Sequence, residues 1–390
     1  MLIGTPKFQS TVESITRSPS LPIETPIIIF DDGTKFLEDL LIEISGAKDS
    51  VTITNYIFHE GVMTNSIFDA LIKKAEEGVA IRILLDAYGG RKAPEEKLEA
   101  LREAGAKTAI FRPIRVRTLT RAHRRTHMRT IVIDGHIAYT GGLAFEDSWL
   151  GDGTEKDHWR DTMFKYDGAM ARATQDQFNS LWRQTDGEIL TGEAFYPSAY
   201  TTNPPRDESY FVSLFHIPAP DVSADLLDII WLTISGAESH ILLSTPYLTP
   251  PPEIVEALTE AVRRGVEVEI IVPGTYTDSK LIQSATRSYY EKLLEAGIRI
   301  FEYEPGRFHE KSLTVDGRWS LIGSANMDNR SASLNVENIF GIEDQEFALA
   351  LEEQFEENKS RSKELLKADW HPNLFKQSYY QIVSLFAKQF

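Results

Sequence analysis

The stretch His309-Glu-Lys311-Ser-Leu-Thr-Val-Asp316, followed by Gly323-Ser324-Ala-Asn326, carries most of the information about the fold. A near-copy lies upstream: His127-Met-Arg129-Thr-Ile-Val-Ile-Asp134, followed by Gly141-Gly142. Two copies of one motif predict a duplicated domain and supply two histidines to one reaction centre. One imidazole can attack a phosphorus atom while the other protonates the leaving oxygen.

Each motif has the pattern of a β-strand that includes its histidine. The run Ser312-Leu-Thr-Val315 is largely apolar and β-branched, and Asp316-Gly317 is a hairpin signal. Side chains alternate faces along a strand, so His309 and Lys311 share one face while Asp316 points to the other. We therefore predict a phosphate-binding pair on one face and an aspartate that braces the backbone. The upstream copy has the same arrangement of His127, Arg129 and Asp134.

The duplication extends over most of the chain. Ile44-Ser-Gly-Ala47 recurs as Ile234-Ser-Gly-Ala237, and Glu103-Ala-Gly105 recurs as Glu295-Ala-Gly297. Each half alternates helix and strand patterns before its motif hairpin. This order predicts an α/β fold of two similar domains, each with a mostly parallel or mixed sheet flanked by helices. We expect the two domains to be related by a pseudo-two-fold axis, with both histidines at their interface.

The expected boundaries are an N-terminal extension at 1–26, a first domain at 27–200 and a second domain at 206–390. The proline-containing segment 197–205 is interpreted as the linker. The second domain ends in an amphipathic pattern, from Leu374 to Phe390, which predicts a helix docked on its own core. Contact of this helix with a membrane is the alternative, disfavoured because its polar face has few basic residues.

An arginine-rich segment without acids precedes the first motif and has no counterpart in the second half. It includes Arg121, Arg124 and Arg125, which we predict to bind substrate at the rim of the site. The chain as a whole has a formal net charge of −17, so a cationic segment beside a phosphate site is interpreted as a local trap for phosphate. Salt bridges to the protein's own acids are the alternative.

Composition excludes some classes of function. At 390 residues the chain is long enough for two domains with proper cores, and the absence of cysteine excludes disulfides and thiol catalysis. No signal segment or membrane-spanning apolar run is evident, so we expect a cytoplasmic protein, soluble or peripheral at the inner face of the membrane. His123 and His127 stand four residues apart, but no glutamate of a zincin motif accompanies them, so no metal and no cofactor is expected.

These motifs resemble the phospholipase D superfamily, in particular its bacterial cardiolipin-synthase-like branch. The resemblance rests on both histidine motifs, on Trp159-Arg160-Asp161-Thr162, and on Leu334-Asn-Val-Glu337. It covers the chain from about residue 27 to residue 355 and implies two phospholipase D-type domains. The structural positions of the motifs would be Asp134, Asp316, Gly141, Gly142, Gly323 and Ser324.

The resemblance implies a two-step, metal-independent transfer through a phosphohistidine. Lys311, Arg129 and Asn326 would stabilise the non-bridging oxygens of the phosphate. An acid downstream of each motif would orient its histidine, with Glu337 serving His309 and Asp161 serving His127. The expected substrate is a glycerophospholipid, presented at an anionic membrane surface.

The first motif departs from the family pattern at two positions. Arginine replaces the family lysine at Arg129, and alanine replaces the family asparagine at Ala144. Arginine keeps the charge but differs in shape, while alanine removes an amide donor. One consequence is an enzyme with slower turnover or a narrower range of substrates. Another is a silent binder, a catalytically inactive protein that binds anionic lipid. A nuclease or other phosphodiesterase is also open, although the charge of −17 disfavours nucleic acid.

Overall fold

The computed structural model describes residues 1–114, 123–198, 208–218, 225–370, 372 and 374–386. Arg121 and most of the segment interpreted as the linker lie outside these residues. The N-terminal segment and the first half contain the following elements: α1 Pro6–Thr16, β1 Leu21–Pro22, β2 Ile28–Phe30, α2 Gly33–Gly46, β3 Ser50–Asn55, α3 Val62–Glu76, β4 Ala80–Asp86, α4 Glu95–Glu103, β5 Lys107–Phe111, β6 Thr130–Ile133, β7 Ile137–Gly141, β8 Trp159–Arg160, β9 Met163–Asp167 and α5 Gly168–Asp186.

The second half repeats this order with additions at its edges. Its elements are β10 Tyr210–His216, α6 Asp225–Gly236, β11 His240–Ser244, α7 Pro252–Arg263, β12 Glu267–Pro273, α8 Lys280–Arg287, α9 Tyr290–Glu295, β13 Arg299–Tyr303, β14 Arg307–Phe308, β15 Ser312–Val315, β16 Trp319–Gly323, α10 Asn329–Ser333, β17 Glu337–Glu343, α11 Gln345–Ser360, β18 Ser362–Leu365 and α12 Leu374–Phe386. Short 3-10 helices cover Gly89–Lys92, Asp147–Trp149 and Lys367–Asp369.

The two main sheets have the same strand order over seven positions. In the first sheet the order is β2-β9-β7-β6-β3-β4-β5, and in the second β10-β17-β16-β15-β11-β12-β13 lies between β1 and β18. Only the strand pairs around β4 and around β12 are parallel in these sheets, and the remaining pairs are antiparallel. The predicted duplicated α/β fold is confirmed, and its sheets are mixed.

The inner faces of the two sheets pack against each other. Along β6 the side chains alternate: Ile131 and Ile133 join a core under the helices of the first half, while Val132 joins a core shared with the second half. That shared core includes Ile322 and Phe340 from the opposite sheet. Burial of both sheet faces explains why the motif strands are apolar at successive positions. It also brings the two motifs to one interface.

The N-terminal segment belongs spatially to the second half. Phe8 and Val12 of α1 are fully buried in the core of that half, where the Phe8 ring meets Trp319 edge to face at 5.1 Å. Strand β1 pairs with β10 at the edge of the second sheet. Within the described residues, no helix combines the length and apolar character that crossing a bilayer requires.

Candidate active site

Each motif histidine is held by the backbone of the opposite half. The amide of His127 donates to the carbonyl of Val336 at 2.9 Å, and the amide of His309 donates to the carbonyl of Arg160 at 2.8 Å. The second contact continues the small parallel pairing of β8 with β14. Because Val336 and Arg160 each immediately precede an acidic residue, these pairings place one half's histidine beside the other half's carboxylate.

The acids therefore orient the histidines in a crossed arrangement. Nδ1 of His127 lies 3.1 Å from both carboxylate oxygens of Glu337, and Nδ1 of His309 lies 2.6 Å from Oδ2 of Asp161. The predicted pairing within each half was wrong. Position along the chain could not reveal it, because the exchange depends on how the two sheets face each other.

The two carboxylates are held by different donors. Glu337 accepts hydrogen bonds from the hydroxyl of Ser331 at 2.8 Å and from that of Ser324. Asp161 accepts from the indole Nε1 of Trp149 at 3.0 Å. Gly142 occupies the position equivalent to Ser324, and a Cβ there would overlap the Asp161 carboxylate. Gly142 thus leaves space for the Asp161 carboxylate. Trp149 donates to Asp161, as Ser324 donates to Glu337.

A cation lies against each imidazole. Nη1 of Arg129 donates to the carbonyl of His127 at 3.0 Å and contacts Nε2 of the same residue at 3.2 Å. A guanidinium cannot accept a hydrogen bond, so this contact requires a lone pair on Nε2 and places the proton on Nδ1, facing Glu337. The first imidazole is thereby held in the neutral form, with Nε2 as its basic nitrogen.

Lys311 has the equivalent place beside His309. Its Nζ donates to the carbonyl of His309 and lies 2.8 Å from Nδ1 and 3.3 Å from Nε2. Nδ1 cannot both donate to Asp161 and accept from the ammonium. The Asp161 contact is the shorter at 2.6 Å, so we assign the Nδ1 proton to it. Nε2 then carries the lone pair here as well.

Burial keeps both imidazoles neutral. The pKa of His127 is lowered to about 4, mainly by burial; Glu337 opposes this shift and Arg129 adds to it. Burial and then Lys311 lower the pKa of His309 to about 3. Burial also lowers the pKa of Lys311 to about 7. An anion entering this site would favour the protonated form of all three groups.

Both histidines line one cavity of about 540 Å³. Arg129 and Asn326 line it too, so the cavity collects most of the side chains that the sequence predicted to be catalytic. The carboxylates lie behind the histidines, away from the cavity. The motifs did not predict the aromatic lining of the cavity. Four aromatic rings pack against the histidine rings with centroid distances of 5.3–6.4 Å: those of Tyr56, Tyr247, Trp149 and Trp159. The signal was available, because Val51-Thr-Ile-Thr-Asn-Tyr56 and Ile241-Leu-Leu-Ser-Thr-Pro-Tyr247 are similar segments of the two halves.

The arginines before the first motif have different environments. Arg125 is only 2 % exposed, lies 3.6 Å from Asp86 and donates to the carbonyl of Arg112, although it also lines the cavity. Arg125 therefore forms the salt bridge to one of the protein's own acids that was the alternative, and its binding of substrate stays a prediction. Arg124 is half-buried, and its carbonyl accepts from Arg112. Arg330, from the second half, lines the cavity and donates to the carbonyl of His123.

The motif aspartates turn away from the cavity and hold the backbone. Asp134 accepts from the amides of Lys48, Asp49 and Ser50, and Asp316 accepts from those of Glu238, Ser239 and His240. Both aspartates adopt the left-handed conformation, with φ of 51° and 56°. Each therefore fixes the hairpin that carries its motif to the start of β3 or β11.

The glycines that follow the motifs permit close approach between strands. Gly141 and Gly323 have φ of 153° and 145°, and a Cβ at either would overlap a backbone carbonyl, of Thr162 and Asn338 respectively. Ala144, at the position equivalent to Asn326, is fully buried in the first core. Among the described residues, no cluster of three or more histidine, aspartate or glutamate side chains is arranged to hold a metal.

Comparison with known proteins agrees with this geometry. The family described as cardiolipin synthase, PLD-like domain, matches residues 40–182 and 230–359. Cardiolipin synthase A of Wigglesworthia glossinidia brevipalpis is 33 % identical over 354 residues, covering 88 % of this chain and 70 % of that protein. The major cardiolipin synthase ClsA of Bacillus subtilis is 32 % identical over 339 residues, covering 86 % and 69 %. The chain therefore spans about 70 % of the length of these two relatives.

A solved structure shows the same fold. Phosphatidylserine synthase of Haemophilus influenzae superposes with a TM-score of 0.73 at 17 % identity, covering 98 % of this chain and 97 % of that one. The chain belongs to the phospholipase D superfamily, in its cardiolipin-synthase-like branch. Within that class it is a phospholipase D-like phosphatidyltransferase, an enzyme of phospholipid metabolism.

Proposed function

We propose that this enzyme transfers a phosphatidyl group from one glycerophospholipid to an alcohol, and that the reaction passes through a phosphohistidine intermediate. The relatives that support this proposal are named cardiolipin synthases. The observation that carries the proposal is the crossed pair of histidine–carboxylate contacts around one cavity. Each imidazole has Nδ1 directed at a buried acid, which leaves Nε2 for chemistry. Two equivalent bases around one cavity suit a reaction that needs a nucleophile and a proton carrier.

The first step forms a nitrogen–phosphorus bond. Nε2 of one histidine attacks the phosphorus, the bond to the first alcohol breaks, and that alcohol leaves with a proton from the second histidine. Binding of the anionic phosphate raises the pKa of the imidazole that must start protonated. The non-bridging oxygens are stabilised by Arg129 and Asn326, which line the cavity, and by Lys311, which contacts the His309 ring. Loss of one such donor typically costs about 3–4 kcal/mol of transition-state stabilisation.

The second step reverses these roles. The second histidine, now neutral, takes a proton from the acceptor alcohol, whose oxygen attacks phosphorus. The nitrogen–phosphorus bond breaks and the first histidine is regenerated. If water is the acceptor, the same steps give hydrolysis to phosphatidic acid. Two buried carboxylates balance the imidazolium that forms at each stage.

The acceptor is tested by mass spectrometry of the products from mixed glycerophospholipids, with and without added glycerol or phosphatidylglycerol. Transfer predicts a new phospholipid whose amount rises with the added alcohol, together with release of the original headgroup. Phosphatidic acid alone would establish hydrolysis. Absence of any product, with phospholipid binding retained, would favour the silent binder. Cleavage of a nucleic acid in place of lipid would favour the nuclease.

We also propose that the enzyme works at the inner face of the membrane as a peripheral, cytoplasmic protein. Its proposed substrate is a bilayer lipid. Arg330 lines the cavity and donates to the carbonyl of His123, which belongs to the arginine-rich segment before the first motif. Fractionation of cells that express the tagged chain, with a salt wash of the membranes, tests this placement. Recovery of the tagged chain in the soluble fraction alone, before any salt wash, would contradict a peripheral attachment to the membrane.

A further inference from the structure

The C-terminal helix α12 is only half covered by the rest of the protein. On its inner side, Val383 is 5 % exposed and packs with Leu281 and Ala285 of α8. The Tyr380 ring stacks on Trp370, with centroids 6.3 Å apart and planes 14° apart. Docking on the protein's own core, which the sequence predicted, therefore holds for this side.

The other side presents a continuous apolar stripe to solvent. Phe375 is 83 % exposed, Tyr379 46 % and Ile382 55 %. The spacings of four and three residues place these side chains on one face of the helix. Exposure of a single large apolar side chain is ordinary, but three aligned on one helix mark an interaction surface.

Helix α12, which carries this stripe, packs on a helix that lines the candidate active site. Helix α8, on which α12 packs, contributes Ile282 to the cavity, next in sequence to the Leu281 that contacts α12. Asp278, just before α8, also lines the cavity, and the hydroxyl of Tyr247 donates to it at 2.6 Å. Helix α12 therefore packs on an element that contributes to the cavity wall.

The charge of α12 fits a phospholipid surface. Its sequence, from Leu374 to Phe386, contains no aspartate or glutamate, although the chain holds 58 of these residues. Its one charged residue is Lys376. The stripe itself carries no carboxylate that would repel anionic headgroups, although Glu291 of α9 accepts a hydrogen bond from Gln377 of α12 at 2.9 Å.

We propose that Phe375, Tyr379 and Ile382 insert into the headgroup region of a bilayer and seat the enzyme with its cavity at the lipid surface. This inference rests on the proposed function, because it takes the substrate to be a membrane phospholipid. The aromatic ring of Tyr379 suits the interface, where its hydroxyl remains hydrated. The insertion supplies an apolar attachment that salt does not screen, in addition to any attraction by arginines.

The test compares two triple variants on vesicles of phosphatidylglycerol and phosphatidylcholine. In the first, Phe375→Ser, Tyr379→Ser and Ile382→Ser remove the stripe. In the second, Ile42→Ser, Trp231→Ser and Leu349→Ser remove exposed apolar side chains of α2, α6 and α11, which are 67 %, 49 % and 50 % exposed. Co-sedimentation at high salt should be weakened more than about tenfold by the first set, and little by the second.

Activity on a short-chain phospholipid below its micelle concentration separates this inference from the proposed function. The stripe variant should keep wild-type turnover on that substrate and lose turnover on vesicles. Failure of the wild type to turn over any phospholipid would refute the proposed function. Weaker vesicle binding by the stripe variant would still support the proposed insertion. Equal vesicle binding by wild type and stripe variant would overturn the inference. So would a wild-type dimer that the stripe variant converts to monomer, since a second copy would then cover this face.

Discussion

Glu337 lies in the second half of the chain, yet both of its carboxylate oxygens are 3.1 Å from Nδ1 of His127 in the first half. Asp161 has the reciprocal relation to His309. Each domain thus supplies a histidine to the site and a carboxylate to its partner's histidine. Neither domain by itself contains a motif histidine together with the acid that contacts it, so the reaction centre exists only when the two halves are associated.

Removing one acid should therefore alter the histidine of the other half. Glu337→Gln should lower the pKa of His127 further, because the carboxylate is what opposes the effect of burial there. Turnover should fall by about 10²–10⁴-fold, the range typical of a lost acid–base contribution. Nitrogen NMR of labelled histidine should show the Nδ1 signal of His127 shifted and that of His309 nearly unchanged. Asp161→Asn is the matched control and should give the reverse; a shift within the same half would refute the crossed pairing.

The covalent step makes a separate prediction. Replacing His127 or His309 by alanine should lower turnover by at least about 10³-fold, since neither attack nor protonation has a substitute. During turnover of labelled phospholipid, one histidine should carry a phosphoryl group that is stable in base and labile in acid. The variant that lacks the nucleophile should show no label. Near-normal turnover by His309→Ala would refute the assignment.

Ligand binding should draw protons from solution. Lys311 has a pKa lowered to about 7 by burial, so at pH 8 it is mostly neutral before an anion binds, and an oxyanion beside it favours its charged form. Calorimetric titration with tungstate, in buffers of different ionisation heat, should show proton uptake near pH 8. Lys311→Arg keeps the charge without titrating, so it should bind the anion with less uptake. Equal uptake by both proteins would place the titrating group elsewhere.

Stability should fall with acid for a related reason. The pKa values of His127 and His309 are about 4 and 3 in the folded protein, below the ordinary histidine value of about 6.5. The unfolded chain therefore binds protons that the folded chain does not, and stability declines as the pH falls from about 6.5 towards 4. Thermal unfolding across this range tests the sign. His127→Gln should flatten part of the slope, and an unchanged slope would contradict the pKa direction.

The neighbouring arginines Arg124 and Arg125 should respond differently to neutralisation. Arg125 is buried beside Asp86, whose pKa is raised by burial and lowered by Arg125. Arg125→Leu should leave that carboxylate without its cation and cost about 3–5 kcal/mol of unfolding free energy. Arg124→Gln should leave stability nearly unchanged and weaken binding to anionic vesicles at low salt only. Denaturant unfolding and vesicle co-sedimentation separate the two; comparable stability losses would show that Arg124 also serves a structural role.

The sequence by itself determined the duplicated α/β fold and singled out both histidines, Arg129 and Asn326, which line the cavity. It also paired His309 with Lys311 and turned Asp316 towards the backbone. Both relations hold although these residues flank β15, because they depend only on neighbours a few residues apart in the chain. The repeat likewise marked Gly141 and Gly323 as equivalent positions, and both prove to lie where strands approach closely.

Only the tertiary structure decided which acid serves which histidine, that Arg125 is buried, and that α12 leaves an apolar face exposed. Each of these depends on contacts between segments far apart in the chain. The backbone pairing of His127 with Val336, for example, forms only when the inner faces of both sheets come together. A local pattern fixes the direction of a side chain along its own strand or helix, whereas its partner is set by packing between elements, which the pattern does not encode.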